Sequence, residues 1–260
     1  MCIIANPVNS VDATKIFVAP NKDQTKQYTV YSNKIDNKVE NNVMILPVPY
    51  PTSVEFIKVD DNFFKKCDEC FSEPYDGARS FCLSDCAKTL KVHDVGSYLA
   101  SIVNTISEIE NLDKIFSIPN DCRKVLQKYP PHYGFIICKL KTDSKEYNPF
   151  AYSHSLDTEL FIPTKHYHGH TTSKYEHFDH NIYIYNASIK VPLKEWNLEK
   201  QNFSYQPLDL GGYIQFHKYV LEGPFENTDF FAKYTQPSTE PSTEGLSQLD
   251  AKPVGNCCIM

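Results

Sequence analysis

Basic charge is scarce in this chain. Its 260 residues carry 26 Lys and Arg against 32 Asp and Glu, a formal net charge of −6 with histidine neutral. That balance argues against nucleic acid as a partner, because neutralising phosphates normally needs a basic face. Long apolar runs are missing too. Nothing approaches the roughly 18 to 20 residues of a spanning helix, so no crossing of a bilayer is expected. Residues 1 to 10 have neither a basic n-region nor a long h-region, which predicts no cleaved secretory signal. There is no Gly-x4-Gly-Lys-Ser/Thr phosphate loop, no Gly-x-Ser-x-Gly elbow and no His-Glu-x2-His helix. The sequence therefore names no reaction by motif. Apolar material, in contrast, is ample: 41% hydrophobic and 13% aromatic residues are enough to bury a core and exclude disorder of the whole chain.

The nine cysteines are an odd number, which does not suit a closed disulfide framework and, with no export signal, predicts reduced thiols in the cytoplasm. Short β-branched and aromatic runs at Lys15–Ala19, Gln27–Tyr31 and Asn42–Leu46 read as strands. Pro47-Val48-Pro49-Tyr50-Pro51 removes three backbone donors within five residues, so the third strand is expected to end there. From Asp60 to Leu90 the spacing of Phe63, Phe64, Cys67, Cys70 and Phe71 is helical. Thr105 with Glu108 three residues on reads as a capping box for a helix reaching Leu112. Pro119 opens a second helix, closed by Pro130 and Pro131. Gly134–Leu140 is nearly all apolar, the mark of a strand buried on both faces. Further strands are expected at 149–154, 159–162, 181–185 and 212–219. Strands and helices mix without regular alternation. The expected fold is α+β: a largely antiparallel sheet with a few short helices, one domain over residues 1–233 and a disordered tail over 234–260.

That tail carries a tandem Pro-Ser-Thr-Glu repeat and no residue able to anchor in a core, which predicts a flexible tether. It ends in Cys257-Cys258-Ile259-Met260, the pattern of a C-terminal CaaX box. Methionine in the last place favours a farnesyl thioether on Cys257, with trimming of the last three residues and carboxyl methylation. The implied partners are a prenyltransferase and the cytosolic face of a membrane. Because one lipid chain binds only marginally, the expectation is a peripheral, reversible association.

Several short signatures accumulate in order along the folded part: Pro7-Val8-Asn9-Ser10, Lys15-Ile16-Phe17-Val18, Leu46-Pro47-Val48-Pro49, Val95-Gly96-Ser97-Tyr98, Tyr133-Gly134-Phe135 and Leu160-Phe161-Ile162-Pro163. Over residues 1–165 they resemble a mostly bacterial protein family of unknown function, which has Pro-Val-Asn, Leu-Pro-Val-Pro and Val-Gly-x-Tyr elements. Met44 and Ile45 stand where that family often has Trp. The resemblance implies one α+β domain and assigns no catalytic residue.

Three clusters carry candidate chemistry. His166, His168 and His170 alternate, so in an extended segment they share one side. With His177 and His180 nearby they could bind zinc or another divalent cation. The alternative is a polar surface loop, signalled by Gly169, Thr171, Thr172 and Ser173. Cys67 and Cys70, followed by Cys82 and Cys86, could form a structural zinc site, or the first pair could face the core of a helix. Cys2, freed by removal of Met1, could be an N-terminal nucleophile, or the small hydrophobe that starts the first strand. The leading reading is a non-enzymatic, prenylated protein presenting a folded body at a membrane. The alternative is a metal-dependent or N-terminal-cysteine hydrolase.

Overall fold

A computed structural model describes residues 3–71, 92–141, 146–168, 173–185, 187–189, 200–212 and 214–234. In chain order the elements are β1 (Ile3–Ile4), β2 (Val8–Pro20), β3 (Lys26–Asn37), β4 (Val43–Val48), β5 (Glu55–Ile57), α1 (Phe63–Glu69), β6 (His93–Val95), β7 (Tyr98–Val103), α2 (Asn120–Leu126), β8 (Gly134–Leu140), β9 (Phe150–Ser155), β10 (Leu160–Ile162), β11 (Tyr167–His168), β12 (Tyr175–Tyr185), β13 (Ala187–Ile189), β14 (Lys200–Phe203), β15 (Ile214–Glu226) and β16 (Phe230–Tyr234). The strands form a six-stranded sheet ordered β11-β1-β4-β8-β7-β6, a seven-stranded sheet ordered β14-β15-β12-β2-β3-β9-β5, and a small sheet β10-β16-β13. Pairing is antiparallel except where β1 meets β11 and β12 meets β2.

Strand alternation sorts the apolar residues into layers. From β4 and β8, Met44, Leu46, Val48, Ile136, Cys138 and Leu140 point at the seven-stranded sheet, which answers with Ile16, Val18, Tyr31, Phe150, Tyr152, Phe178, Ile182 and Leu221. Their neighbours Val43, Ile45, Phe135 and Ile137 point the other way, onto Ile109, Cys122, Val125 and Leu126 from the helical side. On the far face of the larger sheet, Phe17, Ala19, Val30, Tyr183 and Phe216 are covered by α1 and by Phe203, Tyr205, Leu208, Leu210 and Ile214. β4 and β8 are thus buried on both faces, which is why their sequences are nearly continuous hydrophobic runs. Each fully buried Ile, Leu or Phe contributes about 2 kcal/mol of transfer free energy.

Three expectations need correction, and a fourth falls partly outside the described residues. β4 does not stop before Pro47: Pro47 pairs with Phe135 and Val48 with Gly134. The Ala5 N–H donates to the Val43 carbonyl, so odd residues of β4 turn their polar atoms toward β1. The β1 pairing reaches only Ile45. The imino nitrogen of Pro47 therefore falls outside the β8 ladder, and no bond to β8 is lost. The helix expected over 60–90 is described only as α1, two turns closed at Cys70, with 72–91 outside the described residues. Residues Ile106–Asn111 form a 3₁₀ helix, and Thr105 makes no side-chain cap. The Glu108 carboxylate instead accepts from the Asn104 backbone N–H at 2.6 Å. β12 and β15 are also longer than expected, because Phe178 and His180 turn inward within a segment whose sequence looks polar.

Candidate functional site

The histidines come together only in part. His166, just ahead of β11, stacks on His180 of β12 with ring centres 5.2 Å apart and planes 11° apart, and His168 lies 5.6 Å from His166. Phe178 adds a fourth ring, 4.2 Å from His166. Ring-nitrogen lone pairs lie in the ring plane, so stacked imidazoles send them along parallel planes and not to one point. Burial dominates their chemistry, pushing His166 down to about 2, His168 down to about 4 and His180 well below the usual range. His177 is exposed, because three residues along a strand is an odd step and puts it on the face opposite His180. His170 lies outside the described residues. Among the described residues, no three His, Cys, Asp or Glu side chains are placed to hold a metal ion.

Cys67 and Cys70 sit on α1 and its C-terminal cap. Cys67 is fully buried against Phe17, Phe63 and Phe64, and burial raises its thiol far above the ordinary value. The Cys70 thiol donates to the Lys66 carbonyl at 3.3 Å, and burial raises it too. Both are protonated at neutral pH, and the pair packs as small hydrophobes. Cys82, Cys86, Cys2 and Cys257 lie outside the described residues.

Between these two cysteines stands a residue that sequence reasoning passed over. Asp68, in the last turn of α1, accepts from Lys15 at 3.0 Å, from the Tyr183 hydroxyl at 2.6 Å and from Lys218 at 2.5 Å. The three donors come from β2, β12 and β15, all on the outer face of the seven-stranded sheet. Lys218 also lies 5.5 Å over the Tyr183 ring. Burial of the Asp68 carboxyl raises its pKa, but the three donors outweigh that and hold it below the usual range. This clasp fixes the C-terminal end of α1, from which residues 72–91 depart. The chain returns at β6, the edge of the six-stranded sheet, where the His93 ring meets Phe56 of β5 at 4.8 Å. The two ends of 72–91 are thus held by different sheets. Charge partners at helical and strand spacings far apart in sequence gave no local signal for Asp68.

A second half-buried carboxylate, Asp229, ties the start of β16 to its surroundings. It accepts from the backbone N–H groups of Thr164 and Lys165 at 2.9 Å and from the Tyr129 hydroxyl at 2.8 Å. Burial nonetheless raises its pKa, and its role is to order the turn before β16.

The chain matches no protein-family model. Its fold is similar to that of baculovirus P35. The crystal structure of P35 superimposes with a TM-score of 0.55 and 14% identity, over 90% of this chain and 100% of that one. A mutated P35 after caspase cleavage superimposes with a TM-score of 0.50 and 12% identity, over 86% of this chain and all of that one.

Proposed function

We propose that this protein binds a caspase-type cysteine protease and occupies its active site, acting as an inhibitor. The observation that carries the reading is the shared fold along the whole length of P35, one of whose structures was taken after caspase cleavage. Among the described residues, Asp68 holds α1 to the seven-stranded sheet and β6 edges the six-stranded sheet, so the segment 72–91 joins elements of different sheets. Within 72–91 the sequence reads Glu73-Pro74-Tyr75-Asp76-Gly77, with a second aspartate at Asp85. Caspases attack the carbonyl that follows an aspartate side chain with a cysteine thiolate. Gly77 places no side chain on the leaving-group side, so Asp76 is the better candidate.

Incubation with an active caspase tests this. Turnover of an Asp-containing fluorogenic peptide should fall as the protein is added, and a cut after Asp76 should yield fragments 1–76 and 77–260. Asp76→Ala should abolish both effects and Asp85→Ala neither. Undiminished peptide turnover at large molar excess, with the chain intact, would overturn the reading.

The C-terminal CaaX sequence favours a compatible second element. A farnesyl group on Cys257 would hold this inhibitor at the cytosolic face of a membrane, with Cys258, Ile259 and Met260 removed. The mass of the native C-terminal peptide is the check.

A further inference from the structure

We propose that the uncovered half of the outer face of the seven-stranded sheet, on β12 and β15, is a second contact for the protease. The inference rests on the reading of this chain as a protease inhibitor, and adds where the enzyme is held apart from the bond it attacks.

Register shows that this is one surface. β12 and β15 pair without a shift from Tyr175 with Glu226 to Tyr185 with Phe216, so every second residue of each strand stands on the same side. Phe178, Ile182 and Leu221 take the inner side, in the core. Tyr183 and Phe216 take the outer side, beneath α1. Even steps from these two put Tyr175 and Asp179 of β12, and Val220, Glu222, Pro224 and Glu226 of β15, on that outer side as well. This end of the face has no cover among the described residues. Tyr175 is 58% and Val220 56% exposed, more than any other large hydrophobic residue described.

The chemistry of the face points to its partner. Along β15 the carboxylates Glu222 and Glu226 alternate with Val220 and Pro224, and Asp179 stands beside Glu222 as its register partner. Lys15 and Lys218, at the border toward α1, are both engaged by Asp68. Lys174, at the far end, lies over the Tyr175 ring at 5.5 Å. A second copy of this chain would set acid against acid, and the net charge of −6 opposes the approach of two copies. An enzyme that selects an aspartate side chain must hold it with cationic groups, whose field extends beyond the cleft. Carboxylates set among a tyrosine and a valine fit the rim of such a cleft.

Reach supplies the second argument. Phe71, the last described residue before 72–91, packs on Phe216 with ring centres 5.0 Å apart. Asp76 follows five residues later, so the bond after it lies within about 18 Å of Phe71 by any path of the chain. Val220 is four residues along β15 from Phe216, about 14 Å at the rise of a strand. A folded protease domain is more than about 30 Å across. One seated on that bond is therefore large enough to rest on the uncovered strands at the same time.

The full-length chain tests this against a purified caspase, read as the rate at which peptide turnover is lost. Glu222→Lys with Glu226→Lys should slow inhibition roughly tenfold, and the gap should close as salt is added, because screening removes the steering. Tyr175→Ser with Val220→Ser should slow it at every salt concentration. Asp23→Lys with Glu40→Lys changes the net charge equally in the turns after β2 and β3 and should leave the rate unaltered. The substituted side chains are exposed, and an unchanged urea midpoint for each pair excludes unfolding as the cause. Wild-type protein that inhibits, with the first two pairs inhibiting at its rate, overturns this face and leaves the inhibitor reading standing. Equal slowing by the control pair does the same. Wild-type protein that leaves turnover undiminished overturns both.

Discussion

A single carboxylate, Asp68, receives two ammonium groups and a phenol from three strands, so the two-turn α1 is held at its end as well as by its apolar face. Isolated helices of this length do not persist in water, which makes such external ties necessary. Asp68→Ala would leave Lys15, Lys218 and Tyr183 half-buried without their acceptor. The expected loss is about 2–3 kcal/mol in denaturant unfolding, at the charge-assisted end of hydrogen-bond values. Asp68→Asn should recover part of it, and an unchanged midpoint for the alanine variant would show the clasp to be idle. Under the proposed function, the same variant should weaken protease inhibition beyond its effect on stability, because it loosens the departure point of 72–91.

At the scale of elements, β8 joins the layers of the molecule, and its first residue tolerates no side chain. A Cβ at Gly134 would collide with the Val103 carbonyl oxygen and the Pro51 ring. Gly134→Ala is therefore expected to cost about 2–3 kcal/mol by overpacking, read as a lowered melting temperature. The apolar run of Gly134–Leu140 announced this strand, since double burial leaves a continuous hydrophobic signature. The cores of β2, β3, β4 and β9 and the opening of α2 at Pro119 were legible for similar local reasons. The inner half of β12 was not, because Phe178 and His180 are buried within a stretch rich in polar residues, and neutral imidazoles pack where a sequence reader expects a surface. Pro47 misled for a different cause: whether a missing donor matters depends on which neighbour it would have faced, and only the sheet order shows that. The candidate site was less legible still. Asp68 meets partners 53, 115 and 150 residues away, while the histidine and cysteine spacings that drew attention resolve, within the described residues, into stacked rings and packed thiols.

The whole molecule should be acid-labile. Burial lowers His154 to about 4, His166 to about 2, His168 to about 4 and His180 well below its ordinary value. A histidine depressed in the folded state leaves stability intact above its unfolded pKa near 6.5 and subtracts from it as pH falls below that point. Four such groups give a slope on the order of 5 kcal/mol per pH unit at most, against a typical total of 5–15 kcal/mol. Asp179 and Asp229, whose pKa values are raised, oppose the trend, and Asp68, whose value is lowered, reinforces it at more acidic pH. Urea midpoints should drop steeply between pH 6.5 and 4, and His154→Phe should flatten the curve by about one proton. Equal midpoints at pH 7 and pH 5 would contradict this. The order of the larger sheet has a separate consequence for biosynthesis. β2 leaves the ribosome before β12 and finds β3 at once, yet its other edge waits for β12, whose paired residues are made 166 positions later. Through most of translation that edge is an open template for foreign strands. The nascent chain should therefore depend on chaperones until β12 emerges, and truncations ending before Tyr185 should aggregate.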